Sequence, residues 1–143
     1  MGRDTPPAEL HCTLTVDAEP YRLGLVRHAV EVWLRAAGWS GRAATHIVFA
    51  VGEAVGNSIE HAYTVEPPGS VTVALTVEAA DGCHERVRVV VTDRGRWRAG
   101  APEPSRGNGL QLMETLVARV EVDTDAHGTR VTLVGEPMPR PRG

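Results

Sequence analysis

Two runs of residues, VTVALTVEA (71–79) and ERVRVVVTD (85–93), alternate in polarity and are separated by Ala80-Asp81-Gly82. A strand sends successive side chains to opposite faces, so each run has one face suited to a core and one suited to water. Asp-Gly between two such runs is a strong hairpin signal, and the two strands are expected to pair antiparallel. In the second run the inward set is Val87, Val89 and Val91. The same alternation carries Asp93 to the next inward position.

The rest of the chain supplies helices and further strands. LHCTLTV (10–16) alternates Leu10, Cys12, Leu14 and Val16 on one face and reads as a first strand. From Pro20 to about Ala37, Leu25, Ala29, Val32, Trp33 and Ala36 recur at helical spacing, and Gly38 reads as the cap that ends the helix. A second helix, from roughly Arg42 to Ala62, contains FAVGEAVGNSIEHAY and is followed by Pro67-Pro68-Gly69. LQLMETLVA (110–118) is a third helix; VEVDT, a His127-Gly128 turn and TRVTLV (129–134) form another hairpin. The expected fold class is α+β: a two-layer sandwich, with a mixed, mostly antiparallel sheet of about five strands and about three helices on one face.

The domain plan is simple. Residues 10–134 are expected to be one domain, flanked by disordered segments at 1–9 and at 135–143, where EPMPRPRG closes the chain. Residues 94–109, RGRWRAGAPEPSRGNG, have no apolar period and read as a long loop of the kind that forms a functional lid. A net charge of −3 gives no drive toward nucleic acid or anionic lipid, and no apolar run is long enough to span a bilayer. The start of the chain lacks the apolar stretch of a secretory signal, so a cytoplasmic location is expected. Cys12 and Cys83 stand far apart and outside any metal-binding spacing.

All 15 basic residues are Arg; the chain has no Lys. A P-loop and the ordinary protein-kinase fold both need a Lys on the phosphates, and both are therefore excluded. A nucleotide bound here meets backbone N–H groups, Mg²⁺ and Arg instead.

Three groups of residues carry candidate chemistry. On a helix, positions four apart are displaced by only about 40°, so Glu53, Asn57 and His61 share one polar stripe. Ile47, Val48, Val51, Ala54, Val55, Ile59 and Ala62 occupy a separate apolar sector. Such a stripe also occurs on helices that simply face solvent. An inward Asp93 needs a hydrogen-bond donor, for which the amine of adenine is one candidate and a capped turn at Asp93-Arg94-Gly95 another. The parity of TRVTLV places Thr129 inward with Val131 and Leu133, near Asp93. SRGNGL sets Gly107 and Gly109 directly before a helix, where free N–H groups and the positive dipole end attract phosphate. A flexible hinge gives the same pattern. Arg106 stands beside these glycines and supplies positive charge.

The order EAVGNSIEHAY, then Asp-x-Gly, then Gly-x-Gly-Leu before a helix, then Gly-Thr-x-Val on the last strand resembles the Bergerat-fold, histidine-kinase-like ATPases. EAVGNSIEHAY and GNGLQLMETLVARVEVDTDAHGTRVTL are most similar to the anti-sigma-factor serine/threonine kinases of the sigma-B and sigma-F type. The resemblance spans about residues 10–134 and implies ATP and Mg²⁺ as cofactors. It implies Glu53 as catalytic carboxylate, Asn57 as the Mg²⁺-holding amide, Asp93 as the adenine-contacting acid with Gly95 its companion in the cofactor-binding turn, and Thr129 as a residue near the base. It further implies Gly107 and Gly109, with Leu110 after them, as the lid hinge. The γ-phosphate contact is assigned to Arg106. The implied activity is phosphorylation of a Ser or Thr on an anti-sigma-factor antagonist, alternating with sequestration of a sigma factor, in a protein that is a homodimer. The alternative is a nucleotide-gated binding module that transfers no phosphate. The catalytic part of a histidine kinase fits poorly, because no helical pair bearing a phosphoacceptor His is present. After Asp93-Arg94-Gly95 the chain carries Arg96-Trp97, where many relatives have smaller or apolar residues.

Overall fold

The computed structural model describes residues 10–62, 69–94 and 108–140. Strand β1 (His11–Asp17) leads to helices α1 (Arg22–Ala36) and α2 (Gly41–Ala62), then to strands β2 (Ser70–Ala79) and β3 (His84–Asp93). Helix α3 (Asn108–Leu116) precedes β4 (Arg119–Asp125), β5 (Gly128–Val134) and the short β6 (Met138–Pro139). The sheet has six strands in the order β1-β2-β3-β5-β4, with β6 paired to β3. Every strand pairing among the described residues is antiparallel, so the parallel share expected of a mixed sheet is absent from them. The expected two-layer α+β architecture is the one observed, with α1 against β1, α2 against β2, β3 and β5, and α3 against β4.

Each hairpin is closed by an aspartate that satisfies turn N–H groups, as Asp side chains do in tight turns. Asp81 Oδ1 accepts from the N–H of Cys83 at 2.8 Å and of His84 at 2.9 Å. Asp125 Oδ1 accepts from the N–H of His127 at 2.7 Å and of Gly128 at 3.2 Å. Helix α1 ends as expected at Gly38, whose φ of 95° lets the chain reverse so that the N–H of Trp39 donates to the Leu34 carbonyl at 2.8 Å.

The core lies between the layers. Val71, Val73, Leu75 and Val77 of β2, Val87, Val89 and Val91 of β3, and Val131 and Leu133 of β5 meet Ile47, Val51, Ala54, Val55 and Ile59 of α2. Of the apolar sector expected on α2, Ile47, Val51, Ala54, Val55 and Ile59 are buried and Val48 is partly so, while the side chain of Ala62 lies outside the described residues. On α1 the expected face is wrong. The helix buries Val26, Val30 and Leu34, while Leu25 and Val32 stay 49% and 51% exposed. Apolar residues surround most of α1, and periodicity alone does not choose among its flanks. The sheet and α2 take the 26-30-34 stripe and leave Leu25 and Val32 on the flank turned away from α2.

Beyond β5, residues 135–140 lead through β6, with Met138 opposite Glu85 and Pro139 opposite His84. The segments 1–9 and 141–143, both expected to be disordered, lie outside the described residues.

Candidate functional site

Glu53 and Asn57 project from one flank of α2, both half-buried. They meet the start of α3 at Gly109. A Cβ at that position would lie 3.1 Å from Glu53 Oε2, 3.3 Å from Asn57 Nδ2 and 3.8 Å from Asn57 Oδ1. Gly109 thus brings bare backbone against a carboxylate and an amide, and any side chain there would fill the space between them. The first turn of α3 carries N–H groups that the helix itself does not use, so the gap is bounded by a carboxylate, an amide oxygen and phosphate-seeking donors. His61 continues the stripe along α2, but its side chain lies outside the described residues.

Asp93 and Thr129 form the second part of the site. They end β3 and begin β5 as directly opposed residues, and both are buried, at 3% and 5% exposure. Each already takes part in an interaction within the fold. The pair lines a cavity of about 690 Å³ at the end of the sheet, shared with Arg94, Asp123, Asp125, His127 and Arg130. Glu53, Asn57 and Gly109 do not line it, so the described residues give two separate halves of a site. Residues 95–107 join β3 to α3 in sequence. Gly95, Arg106 and Gly107 fall in that segment, as do Arg96 and Trp97, and all five lie outside the described residues. Leu110, the last of the expected contacts, is half-buried and packs against the core from α3.

One residue that the sequence marks only as part of a turn belongs to the site's framework. Gly128 has φ 145°, and a Cβ there would collide with the backbone carbonyl oxygen of Asp93. The close approach of the two backbones holds Asp93 and Thr129 side by side, and only glycine permits it. A second unforeseen feature lies on the far flank of α2. Arg27 of α1 lies across Gly52, where a Cβ would be 2.7 Å from its Nε and 3.2 Å from Nη2.

Residues 16–134 match the family described as the histidine kinase-like ATPase domain. The chain is 30% identical to Serine-protein kinase RsbW of Bacillus velezensis, with 79% of this chain and 78% of that relative covered. Serine-protein kinase RsbW of Bacillus subtilis is 28% identical, over 76% of this chain and 75% of that relative. A crystal structure of the RsbU and RsbW domains of Rv1364c from Mycobacterium tuberculosis is similar at a TM-score of 0.71 and 32% identity. It covers 92% of this chain and 33% of that one, so the present chain spans about a third of that longer protein. With residues 16–134 matched from β1 through β5, the chain belongs to the family of histidine kinase-like ATPase domains.

Proposed function

We propose that this chain is a serine/threonine protein kinase that transfers the γ-phosphoryl group of ATP to a Ser or Thr of an anti-sigma-factor antagonist and, in alternation, sequesters a sigma factor. The observation that carries this reading is the convergence of Glu53 and Asn57 on the bare backbone of Gly109. A carboxylate, an amide and a helix N-terminus meeting at bare backbone are the groups that a phosphate tail and an incoming hydroxyl need. The similarity to two proteins named Serine-protein kinase RsbW supports the same activity.

In this reading Asp93, with Thr129 beside it, accepts from the exocyclic amine of adenine; a carboxylate has room for more than one donor. Asn57 offers a hard amide oxygen to Mg²⁺, which when bound neutralises charge on the phosphates while keeping several waters. The same reading assigns Gly95 to the adenine side and Arg106, Gly107, Gly109 and Leu110 to the phosphate side; Gly95, Arg106 and Gly107 lie outside the described residues. In the transfer, the acceptor oxygen bonds to the γ-phosphorus, the bond from that phosphorus to the bridging oxygen breaks, ADP leaves, and the acceptor proton passes to Glu53. Glu53 serves as general base, and positioning and charge neutralisation supply the remainder of the acceleration.

The exposed flank of α1, bearing Leu25 and Val32 over the free edge of β1, supports a homodimer. Among the described residues no helix is long and apolar enough to cross a membrane. Nothing in this reading requires nucleic acid, and the reading is of a cytoplasmic protein. The test incubates the purified protein with Mg²⁺-ATP and, one at a time, the recombinant antagonist-type proteins of its own genome, and reads intact mass. One of them is expected to gain a single phosphate. Tight sigma-factor binding with no phosphate transfer to any antagonist would instead support a nucleotide-gated binding module.

A further inference from the structure

Trp39 follows the turn that ends α1 and stands just before α2. Its side chain is only 5% exposed and belongs to the core. The indole Nε1 is buried and makes no hydrogen bond among the described residues. An indole nitrogen can only donate, and a donor buried without an acceptor gives up its hydration for nothing in return. Buried indoles usually find an acceptor for that reason. Here the fold offers none, although a phenylalanine would fill the core without stranding a donor.

Two cavities adjoin the indole, on different flanks of the start of α2. The first, of about 280 Å³, has Arg35 on its wall, but Arg35 is held by Glu31 at 2.9 Å. The second, of about 210 Å³, lies between α2, the end of α3 at Leu116 and the chain leaving β5 at Gly135 and Glu136. Arg42 and His46 line it one helical turn apart. Neither side chain makes a hydrogen bond or ion pair among the described residues. The first N–H groups of α2 begin beside them and have no partner within the helix. Ser40 is placed to cap that turn, yet its hydroxyl makes no hydrogen bond among the described residues, so the positive end of α2 has no side-chain cap.

A guanidinium, an imidazole, an unspent indole donor and an uncapped helix N-terminus favour one kind of occupant, negatively charged oxygen. Glu136 is the one carboxylate lining this cavity, and it is exposed, with water available to its charge. At roughly 30 Å³ per water the space equals about seven waters, less than the pockets that take large ligands. It suits a phosphate or a small organic acid. Arg42 precedes Glu53 by about 16 Å along α2, so this cavity is separate from the meeting of Glu53, Asn57 and Gly109.

We propose that the cavity beneath the start of α2 is a second binding site, for a compact oxyanion: a phosphate, or the carboxylate of a small organic acid. The Trp39 indole N–H, the Arg42 guanidinium, His46 and the first turn of α2 hold it. The site does not depend on the kinase activity and is tested without it.

The experiment follows the indole N–H signals of Trp33, Trp39 and Trp97 by nuclear magnetic resonance in the isotope-labelled full chain, assigned by triple-resonance spectra. Inorganic phosphate and succinate are added separately, with and without Mg²⁺-ADP, and sodium chloride at equal ionic strength is the control. The Trp39 signal is expected to move saturably with phosphate, succinate or both, whether or not ADP is present, and to stay in place with chloride. Movement with phosphate alone identifies a phosphate group as the ligand, and movement with succinate alone a carboxylate. Arg42→Ala is expected to raise the Kd about tenfold, the usual worth of a charge-assisted hydrogen bond. Glu136→Gln removes a repelling charge and is expected to lower it about twofold. Trp39→Phe, read on the backbone signals of the first turn of α2, should lose about tenfold. If that variant does not fold, the Arg42 and Glu136 variants decide, since both side chains are exposed in the fold. A Trp39 signal that saturates with neither anion, follows chloride equally or stops responding when ADP is bound overturns the proposal. So does weaker binding in Glu136→Gln, which would mark the cavity as a cation site. A loss in Arg35→Ala with none in Arg42→Ala overturns it as well, by moving the anion to the other cavity.

Discussion

Gly128 is where backbone geometry and chemistry meet most closely. Its φ of 145° and the nearness of the Asp93 carbonyl leave no room for a side chain, so replacement separates β5 from the end of β3. Gly128→Ala is expected to cost about 3 kcal/mol, combining backbone strain with a steric clash. Urea unfolding measures it, and a variant as stable as wild type would mean that the strands part there at little cost. A sequence shows that His127-Gly128 is a turn; it does not show which distant carbonyl will lie against it. Glu53 and Asn57 sit side by side but are expected to fail differently. Glu53→Ala should slow phosphate transfer by about 10²–10⁴-fold, the usual worth of a general base, with nucleotide affinity nearly unchanged. Asn57→Ala should weaken the Mg²⁺-dependent part of nucleotide binding. Measuring transfer and affinity for both variants checks the division of labour, and equal affinity losses in the two would refute it.

At the scale of elements, strands were more legible than helices. Alternation has only two outcomes, so Val87, Val89 and Val91 fix the face on which Asp93 lies, and Val131 and Leu133 do the same for Thr129. Helix α1 offers several outcomes, because Leu25, Val26, Ala29, Val30, Val32, Trp33 and Leu34 surround most of its circumference. Only contact with the sheet and α2 selects Val26, Val30 and Leu34. The meeting of α2 and α3 at Gly109 was likewise hidden, since it depends on how residues far apart in sequence pack. Strands β2 and β3 are tied on their outer face by Glu78, which accepts from Arg86 Nε at 2.7 Å and Arg88 Nε at 2.8 Å. The Arg88 hydrogen bond, opposed by partial burial and assisted by Arg86, holds the Glu78 carboxyl below its ordinary pKa. A depressed folded-state pKa gives stability that is complete above the unfolded value, near pH 4.3, and is lost as pH falls through the folded one. Glu78→Gln is therefore expected to cost about 1 kcal/mol at pH 7, with the difference shrinking below about pH 4. Denaturant unfolding across pH 3–7 reads it, and a pH-independent difference would show that the charge of Glu78 is not the cause.

At the scale of the whole molecule, the described residues present two broad surfaces outside the site, and they differ in kind. The sheet face away from the helices is dressed with short polar groups and ion pairs: Thr15 and Thr72 share a hydrogen bond of 3.0 Å, His11 and Thr76 one of 3.2 Å, and Glu78 engages two arginines. These groups are already satisfied and gain little from a second protein. The flank of α1 beyond the core is different, since Leu25 and Val32 lie about half exposed beside β1, an edge strand of the sheet. Apolar area that the fold leaves uncovered is stabilised by burial at roughly 25 cal/mol per Å², and a two-fold axis along this flank would cover the same patch on both copies. The homodimer is therefore expected here, with Glu53 and Gly109 on the opposite side of α2 left open. The double variant Leu25→Glu, Val32→Glu places four carboxylates at a symmetric interface and is expected to give monomers by light scattering at micromolar concentration. Both positions are exposed in the fold, so its Tm should reflect only lost association. Nucleotide affinity should stay within about twofold, because neither residue approaches the site. A wild-type protein that is monomeric under the same conditions would remove the dimer, and a variant that remains dimeric would move the interface to the sheet face or the β1 edge alone.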